Sequence, residues 1–119
     1  MKYFIGLDIG TSSVKAMLLN EREIVKIASR DYPVFYPKNG WSEQDPEDWY
    51  RETLSAMKEL LSGIDGKGVA SLSFSGQMHG LVMLDEEDRV IRPAILWNDG
   101  RSTKEVAYLN ETVGKGFLL

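Results

Sequence analysis

The feature that most constrains this chain is a series of three apolar segments, joined by very short polar turns, near its N-terminus. Residues 3–9 have the composition of a strand buried on both faces. Residues 14–19 and 24–29 have the composition of two further strands. Turns as short as residues 10–13 and 20–23 join antiparallel neighbours. The sequence therefore predicts that the chain opens with a three-stranded antiparallel meander.

The rest of the chain alternates helix and strand signals. Asp45 is a good N-cap, Pro46 suits the first helical position, and an apolar face at helical spacing continues to Ile64. Gly63 and the loop of residues 65–68 stop this helix. Residues 69–75 alternate apolar and small polar side chains, which is typical of a strand. Further along, the pattern predicts a hairpin of residues 81–84 and 89–91, a short strand over 94–97 and a helix over 102–113 that ends at Gly114.

This element order predicts an α/β fold with a mixed sheet and helices. A meander that opens an α/β unit is the order of the ribonuclease-H-like fold, the half-domain of actin-like ATPases. A length of 119 residues suits one hydrophobic core. Because the apolar segment Phe117-Leu118-Leu119 follows a predicted helix, we expect the natural polypeptide to continue.

Composition excludes several functional classes. A net charge of −4 without a basic block argues against a nucleic-acid-binding protein. The absence of cysteine removes disulfides, thiolate nucleophiles and cysteine-based zinc sites, and a single histidine removes poly-histidine metal sites. No segment has the roughly 18 apolar residues of a membrane span, and no targeting segment is visible. We therefore expect a cytoplasmic protein without a membrane partner.

The first candidate site follows the first predicted strand. The turn residues Gly10, Thr11, Ser12 and Ser13 could direct backbone N–H groups and hydroxyls at phosphate oxygens. Asp8, beside this turn, could hold Mg²⁺ as catalytic group and metal ligand, and Lys15 could add a positive charge. The pattern is neither a Walker loop nor G-x-G-x-x-G. A hairpin whose Asp8 only hydrogen-bonds the turn is an equally good interpretation of these residues alone.

The second candidate site is the loop between Gly76 and Gly80, at the C-terminal end of a strand, where open α/β sheets bind ligands. Gln77 and His79 offer hydrogen bonds that suit a polyol, and Met78 offers an adaptable apolar wall. A lone histidine, however, is more often structural. No Gly-x-Ser-x-Gly elbow is present, which excludes the common hydrolase arrangement.

Aromatic residues beside polar turns form a third candidate group. Trp97, Asn98 and Asp99 have the composition of a sugar-pocket lining, and Trp41 lies in a similar context. The alternatives are core packing for the tryptophans and helix capping for Asn98 and Asp99. For Trp49, on the apolar helix face, we expect core packing.

Four segments together resemble the FGGY family of carbohydrate kinases. They are residues 5–15, 41–46, 75–80 and 92–101, and they occur in the order of the family. Within the family, the last two segments most resemble members that act on D-xylulose rather than glycerol. The family's fold is two actin-like domains with the active site between them. The resemblance thus implies that residues 1–119 are the first part of the N-terminal domain.

The resemblance also implies ATP-dependent phosphorylation of D-xylulose with Mg²⁺. Carried over by position, Asp8 belongs to the Mg²⁺-phosphate site, and Met78 and His79 belong to the sugar site. The family's general base and adenosine-binding domain are expected beyond Leu119, so the chain alone should be inactive. The alternatives are another FGGY kinase, acting on gluconate or fuculose, and a non-catalytic actin-like domain that binds a nucleotide or sugar. A homodimer is compatible with each alternative.

Overall fold

The computed structural model describes residues 1–118, and Leu119, at the apolar end of the chain, lies outside the described residues. The strands are β1 (Tyr3–Ile9), β2 (Ser13–Asn20), β3 (Ile24–Asp31), β4 (Glu43–Gln44), β5 (Val69–Gly76) and β6 (Ala94–Ile95). The helices are α1 (Pro46–Leu60), α2 (Thr103–Tyr108) and α3 (Lys115–Leu118).

The main sheet has four strands in the order β3-β2-β1-β5. β2 is antiparallel to both β1 and β3, whereas β5 is parallel to β1. The predicted meander and the predicted mixed α/β sheet are both confirmed. The register places Asp8 of β1 between Lys15 of β2 and Ser75 of β5. Candidate residues that are far apart in the sequence therefore meet at one end of the sheet.

Helix α1 covers one face of the sheet, and the core lies between them. Alternate residues of β1, β2 and β3 face the helix, because successive side chains of a strand point to opposite faces. The buried apolar side chains are Ile5, Leu7, Val14, Ala16, Leu18, Ala28, Tyr32, Ala56 and Leu60. At the helix C-terminus, Lys26 Nζ donates to the carbonyl of Glu59 at 2.8 Å. Trp49 packs against this core, as predicted.

The start of α1 agrees with the sequence prediction, whereas its end comes earlier than its apolar face suggests. The Asp45 carboxylate accepts a hydrogen bond of 2.9 Å from the N–H of Glu47, which confirms the predicted N-cap. The helix ends at Leu60 rather than at Ile64. Gly63, with a φ of 79°, leaves the helical region and turns the chain toward β5. Ile64 still packs against the core, which explains why its apolar character suggested a longer helix.

Three features of the chain after β3 differ from the sequence prediction. β4 was not predicted, and it pairs with β6 in a separate two-stranded ribbon. The predicted strand over residues 94–97 is only two residues long. The predicted hairpin is present but short: Leu84 and Val90 form one bridge, and the N–H of Ile91 donates to the carbonyl of Met83 at 3.1 Å. In its turn, the Asp85 carboxylate accepts two backbone N–H groups. Its apolar side chains are exposed, so packing does not extend the pairing.

The predicted C-terminal helix is interrupted. Of the predicted range 102–113, only α2 is regular α-helix, and residues 109–114 form a wider π-type helix. The short helix α3 follows Gly114. Gly114 has a φ of 96°, which breaks the helix where the sequence predicted an end. None of these segments buries a side chain. Among residues 1–118, no helix has the length and apolar character needed to cross a lipid bilayer.

Candidate functional site

Tyr32 forms hydrogen bonds to the turn of residues 10–13, which follows β1. The backbone N–H of Gly10 donates to the carbonyl of Ser13 at 2.9 Å, and the N–H of Tyr32 donates to the carbonyl of Ser12 at 3.2 Å. The Tyr32 hydroxyl contacts the carbonyl oxygens of both Gly10 and Ser13. Burial raises the pKa of this hydroxyl to about 12, and the charge of Asp8 adds to the shift. The hydroxyl therefore stays protonated and donates to the turn at neutral pH.

Two backbone N–H groups of this turn are available as hydrogen-bond donors. Within the described part of the chain, the backbone N–H groups of Thr11 and Ser12 form no hydrogen bond. The Ser12 side chain is exposed. Consecutive unpaired N–H groups in a turn, together with hydroxyls, are the usual donors to a phosphate oxygen. The geometry therefore fits the predicted phosphate turn.

Asp8 projects from the sheet beside this turn. Its carboxylate is exposed and accepts one long hydrogen bond, 3.4 Å, from Ser75 Oγ. With Lys15 and Ser75 it borders a cavity of about 470 Å³ on the sheet face that α1 leaves uncovered. Lys15 lies past the turn, in the strand predicted for residues 14–19, where it pairs with Asp8.

A second cavity, of about 380 Å³, brings the two predicted sites together. It is lined by Asp8, Gly10, Thr11, Gly76, Gln77, Met78, His79 and Trp97. Part of the predicted phosphate end and part of the predicted sugar site therefore share one cavity. Ser12, Ser13 and Lys15 do not line it.

The Thr11 hydroxyl links the turn to the other walls of this cavity, which we call the Thr11 cavity. It donates to Gln77 Oε1 at 3.2 Å and accepts from the indole Nε1 of Trp97 at 3.1 Å. The backbone N–H of Gln77 donates to the carbonyl of Ile9 at 2.9 Å. The walls are therefore joined by hydrogen bonds and do not merely lie close together.

The loop of residues 76–80 requires unusual backbone geometry. A Cβ on Gly76 would lie 2.7 Å from the carbonyl oxygen of Ile9, so only glycine fits at the end of β5. His79 has a φ of 62°, a left-handed conformation that is uncommon for residues other than glycine. Such conformations concentrate at functional sites. Both Met78 and His79 are exposed in the cavity and available to a ligand.

Gln44 is a component of the site that the sequence did not identify. Its side chain is fully buried and forms four hydrogen bonds. It donates to the carbonyls of Thr11 and Pro33, at 2.5 and 3.3 Å, and accepts from Trp49 Nε1 and Gln77 Nε2, at 3.0 and 2.9 Å. Gln44 lies directly before the N-cap Asp45 and within the family-like segment 41–46, but nothing in the sequence indicated that its side chain belongs to the site. Tyr32 was also missed, and nothing local distinguishes it from other strand-end tyrosines.

Asp99 lies in a buried ion cluster outside the Thr11 cavity. Its carboxylate accepts from Arg101 at 2.7 and 2.8 Å and from the backbone N–H of Ser42 at 2.7 Å. These bonds, above all those from Arg101, hold the pKa of Asp99 far below its usual range. Arg101 also bonds Glu43 at 2.8 Å and stacks on the Trp41 ring at 3.7 Å.

The predicted sugar contacts of Asn98 and Asp99 are therefore not brought to the Thr11 cavity. Asn98 borders a separate cavity of about 370 Å³ beside Lys38 and Trp41. The Asp99 side chain is committed to bonds within the protein. Their contact with a sugar stays a prediction, and so does that of Trp97, which lines the Thr11 cavity.

The donor set fits a magnesium ion held mainly by its own water and phosphate ligands. Among residues 1–118, no group of three or more His, Asp or Glu side chains could enclose a metal. Asp8 supplies one exposed carboxylate beside the turn of residues 10–13. Mg²⁺ typically takes one or two carboxylates plus substrate phosphates and keeps several waters. A single exposed Asp8 is compatible with that mode of binding.

Comparison with known proteins assigns the family. Residues 3–118 match the family described as the FGGY family of carbohydrate kinases, N-terminal domain. The chain belongs to this family. The family assignment confirms the resemblance drawn from the four sequence segments. The actin-like fold expected from the strand order is also confirmed, because the similar solved structures are FGGY sugar kinases.

Individual FGGY relatives extend the comparison. A xylulose kinase of Bacillus subtilis (strain 168) is 46% identical over 121 residues, and the match covers 99% of this chain and 24% of that protein. A xylulose kinase of Escherichia coli (strain K12) is 48% identical over 111 residues, covering 92% and 23%. The solved xylulose kinase of Rhodospirillum rubrum superposes with a TM-score of 0.87 at 33% identity, covering 93% and 23%. The chain spans about a quarter of the length of the curated relatives it matches.

Proposed function

We propose that this FGGY chain is the first part of the N-terminal domain of a xylulose kinase. The whole enzyme would transfer the γ-phosphoryl group of ATP to the 5-hydroxyl of D-xylulose, giving D-xylulose 5-phosphate and ADP. The observation that carries the proposal is the Thr11 cavity, in which a phosphate-type turn and a polyol-type loop face each other. The names of the similar relatives support xylulose as the sugar.

At the phosphate end, the turn and Asp8 would hold ATP. The N–H groups of Thr11 and Ser12 would donate to phosphate oxygens, and Gly10 and Ser13 keep the turn closed by a backbone hydrogen bond of 2.9 Å. Mg²⁺, when bound, neutralises phosphate charge. Asp8 would orient this ion through its free carboxylate, and Lys15, on the neighbouring strand, would add a positive charge.

At the sugar end, the loop of residues 76–80 would select the substrate. His79 would hydrogen-bond a hydroxyl, Met78 would contact the C–H edge of the sugar, and Gln77 would hold the loop against Thr11. Trp97 would close the wall beside the turn. Such transfer depends mainly on positioning and charge neutralisation. The group that accepts the hydroxyl proton is expected outside residues 1–119.

The proposal is tested on the full-length protein with Mg²⁺ and ATP. ADP formation should depend on D-xylulose and should be much slower with gluconate, fuculose or no sugar. Faster turnover with gluconate or fuculose would assign another FGGY sugar, and sugar binding without ADP formation would indicate a non-catalytic domain. The isolated 119-residue chain should release no ADP with D-xylulose, because the proton acceptor is expected elsewhere.

Two further expectations belong to this proposal. We place the enzyme in the cytoplasm, and cell fractionation with an antibody to the full-length protein tests that placement. We also retain the homodimer as a prediction. Light scattering of the full-length protein at micromolar concentration distinguishes a dimer from a monomer.

A further inference from the structure

Gln44 connects the two halves of the Thr11 cavity from behind. Its amide nitrogen bonds the backbone of the phosphate turn, at the Thr11 carbonyl, and its amide oxygen bonds the side chain of Gln77 in the sugar loop. Both partners lie 33 positions away in the sequence. A single rigid amide group therefore spans the distance between turn and loop.

The orientation of this amide is fixed by a donor that cannot accept. Trp49 Nε1 is a donor only, and it lies 3.0 Å from Gln44 Oε1. The oxygen must therefore face Trp49 and Gln77. The nitrogen must face the carbonyls of Thr11 and Pro33. A flipped amide would place its NH₂ group against the indole N–H of Trp49. Its oxygen would then face the carbonyl oxygens of Thr11 and Pro33.

The backbone of Gln44 is equally constrained. In the β4–β6 ribbon Gln44 pairs with Ala94, and the preceding residue, Glu43, bonds Arg101 and Arg92 at 2.8 and 3.0 Å. Arg101 in turn bonds Asp99, whose side chain is almost fully buried. The ion cluster therefore anchors the segment from which Gln44 reaches toward the cavity.

We propose that Gln44 is a positioning residue that sets the distance between the phosphate turn and the sugar loop. The inference rests on the proposed phosphoryl transfer, in which the accepting hydroxyl oxygen, the γ-phosphorus and the leaving oxygen of ADP must lie in line. Gln44 is fully buried, so it touches neither substrate and acts through Thr11 and Gln77. Loss of this link should leave each half-site able to bind while misaligning the reacting groups.

This role predicts a specific kinetic pattern. A misplacement of about 1 Å between reacting groups can lower the rate roughly 10²-fold. The variant Gln44→Glu keeps an acceptor for Trp49 but replaces the donor that faces the Thr11 carbonyl with an oxygen. We therefore expect kcat to fall about 10²-fold, while KM for ATP and for the sugar changes less than about threefold.

The experiment measures kcat, both KM values and the melting temperature in the full-length enzyme. Gln44→Glu and Gln44→Met are compared with wild type, since Met is similar in size to Gln and forms no amide hydrogen bonds. Leu60→Ala is the matched control. It removes a fully buried side chain of α1 that does not line the Thr11 cavity, so it should lower the melting temperature and leave kcat unchanged.

A selective loss of kcat in a folded Gln44 variant, with Leu60→Ala still at the wild-type kcat, supports the proposal. Wild-type kcat in either folded variant overturns it. Failure of both variants to fold, when Leu60→Ala folds, also overturns it, because Gln44 would then serve stability alone. If wild type ignores D-xylulose but phosphorylates another sugar, the proposed substrate fails, and the same comparison with that sugar still decides the role of Gln44.

Discussion

The hydroxyl of Thr11 accepts a hydrogen bond of 3.1 Å from the indole Nε1 of Trp97, which lies 86 positions further along the chain. The same hydroxyl donates to Gln77 at 3.2 Å. A turn residue therefore holds two segments that come much later in the sequence. The hydrogen bonds of Thr11 explain how residues assigned separately to phosphate and sugar come to line one cavity.

Replacing the indole of Trp97 with a phenyl ring should weaken sugar binding. Trp97→Phe keeps an aromatic ring but loses the bond to Thr11, and a hydrogen bond of this kind contributes about 0.5–1.5 kcal/mol. KM for D-xylulose in the full-length enzyme should rise roughly threefold to tenfold. Trp41→Phe is the matched control, because its ring stacks on Arg101 and its indole N–H forms no hydrogen bond within residues 1–118. Equal effects of the two substitutions would contradict the assignment.

Neutralising Asp8 should lower turnover without unfolding the protein. Asp8→Asn keeps the shape of an exposed side chain and removes the charge that would hold Mg²⁺. Loss of such a charge typically lowers kcat by roughly 10²–10³. Steady-state kinetics across a Mg²⁺ titration measures the effect, and Ser75→Ala, which removes only the 3.4 Å partner of Asp8, is the control. A folded Asp8→Asn enzyme with wild-type kcat would make Asp8 a turn former only.

His79 should act on the sugar rather than on stability. An unpaired buried hydroxyl costs about 1–3 kcal/mol, so His79→Ala should raise KM for D-xylulose roughly tenfold or more and change KM for ATP little. Because φ at this position is 62°, alanine adds backbone strain that glycine avoids. His79→Gly should therefore show the same KM increase with a higher melting temperature than His79→Ala. An unchanged sugar KM in folded His79→Gly would contradict the sugar contact.

Gly76 should not tolerate a side chain. The added Cβ of Gly76→Ala would lie 2.7 Å from the carbonyl oxygen of Ile9, so the end of β5 must move away from β1. We expect a lower melting temperature and a sugar KM raised more than the ATP KM. Gly66→Ala is the control, because its added Cβ meets no atom within 4 Å. If both variants have the melting temperature of the wild type, the loop does not depend on the close approach of Gly76 to Ile9.

The sequence predicted the elements whose signals are local. The three N-terminal strands, the Asp45 N-cap and β5 depend on alternation, turn chemistry and capping within a few residues. The end of α1 at Leu60 was placed too late because Ile64, which lies outside the helix, is apolar only because it packs against the core. β4 was missed because two residues are too few to show the alternation of apolar and polar side chains that is typical of a strand.

The site was predictable only where its chemistry is contiguous. Asp8 with its turn, and Gln77 with Met78 and His79, are compact motifs, and their meeting in one cavity follows from the parallel pairing of β1 and β5. Tyr32 bonds the turn across 19 and 22 positions, and Gln44, although it lies in the family-like segment 41–46, bonds Thr11 and Gln77 across 33 positions; a local sequence pattern does not reveal such contacts. Asp99 had the composition of a sugar ligand, yet Arg101 and Ser42 occupy its carboxylate.

The central claim is that the Thr11 cavity holds the sugar and the γ-phosphate of ATP side by side. The most direct measurement is a crystal structure of the full-length enzyme with D-xylulose, Mg²⁺ and a non-hydrolysable ATP analogue. We expect a sugar hydroxyl within hydrogen-bond distance of His79 and a terminal phosphate against the turn of residues 10–13, beside Asp8. A sugar bound elsewhere, with His79 and Met78 exposed to solvent, would contradict it.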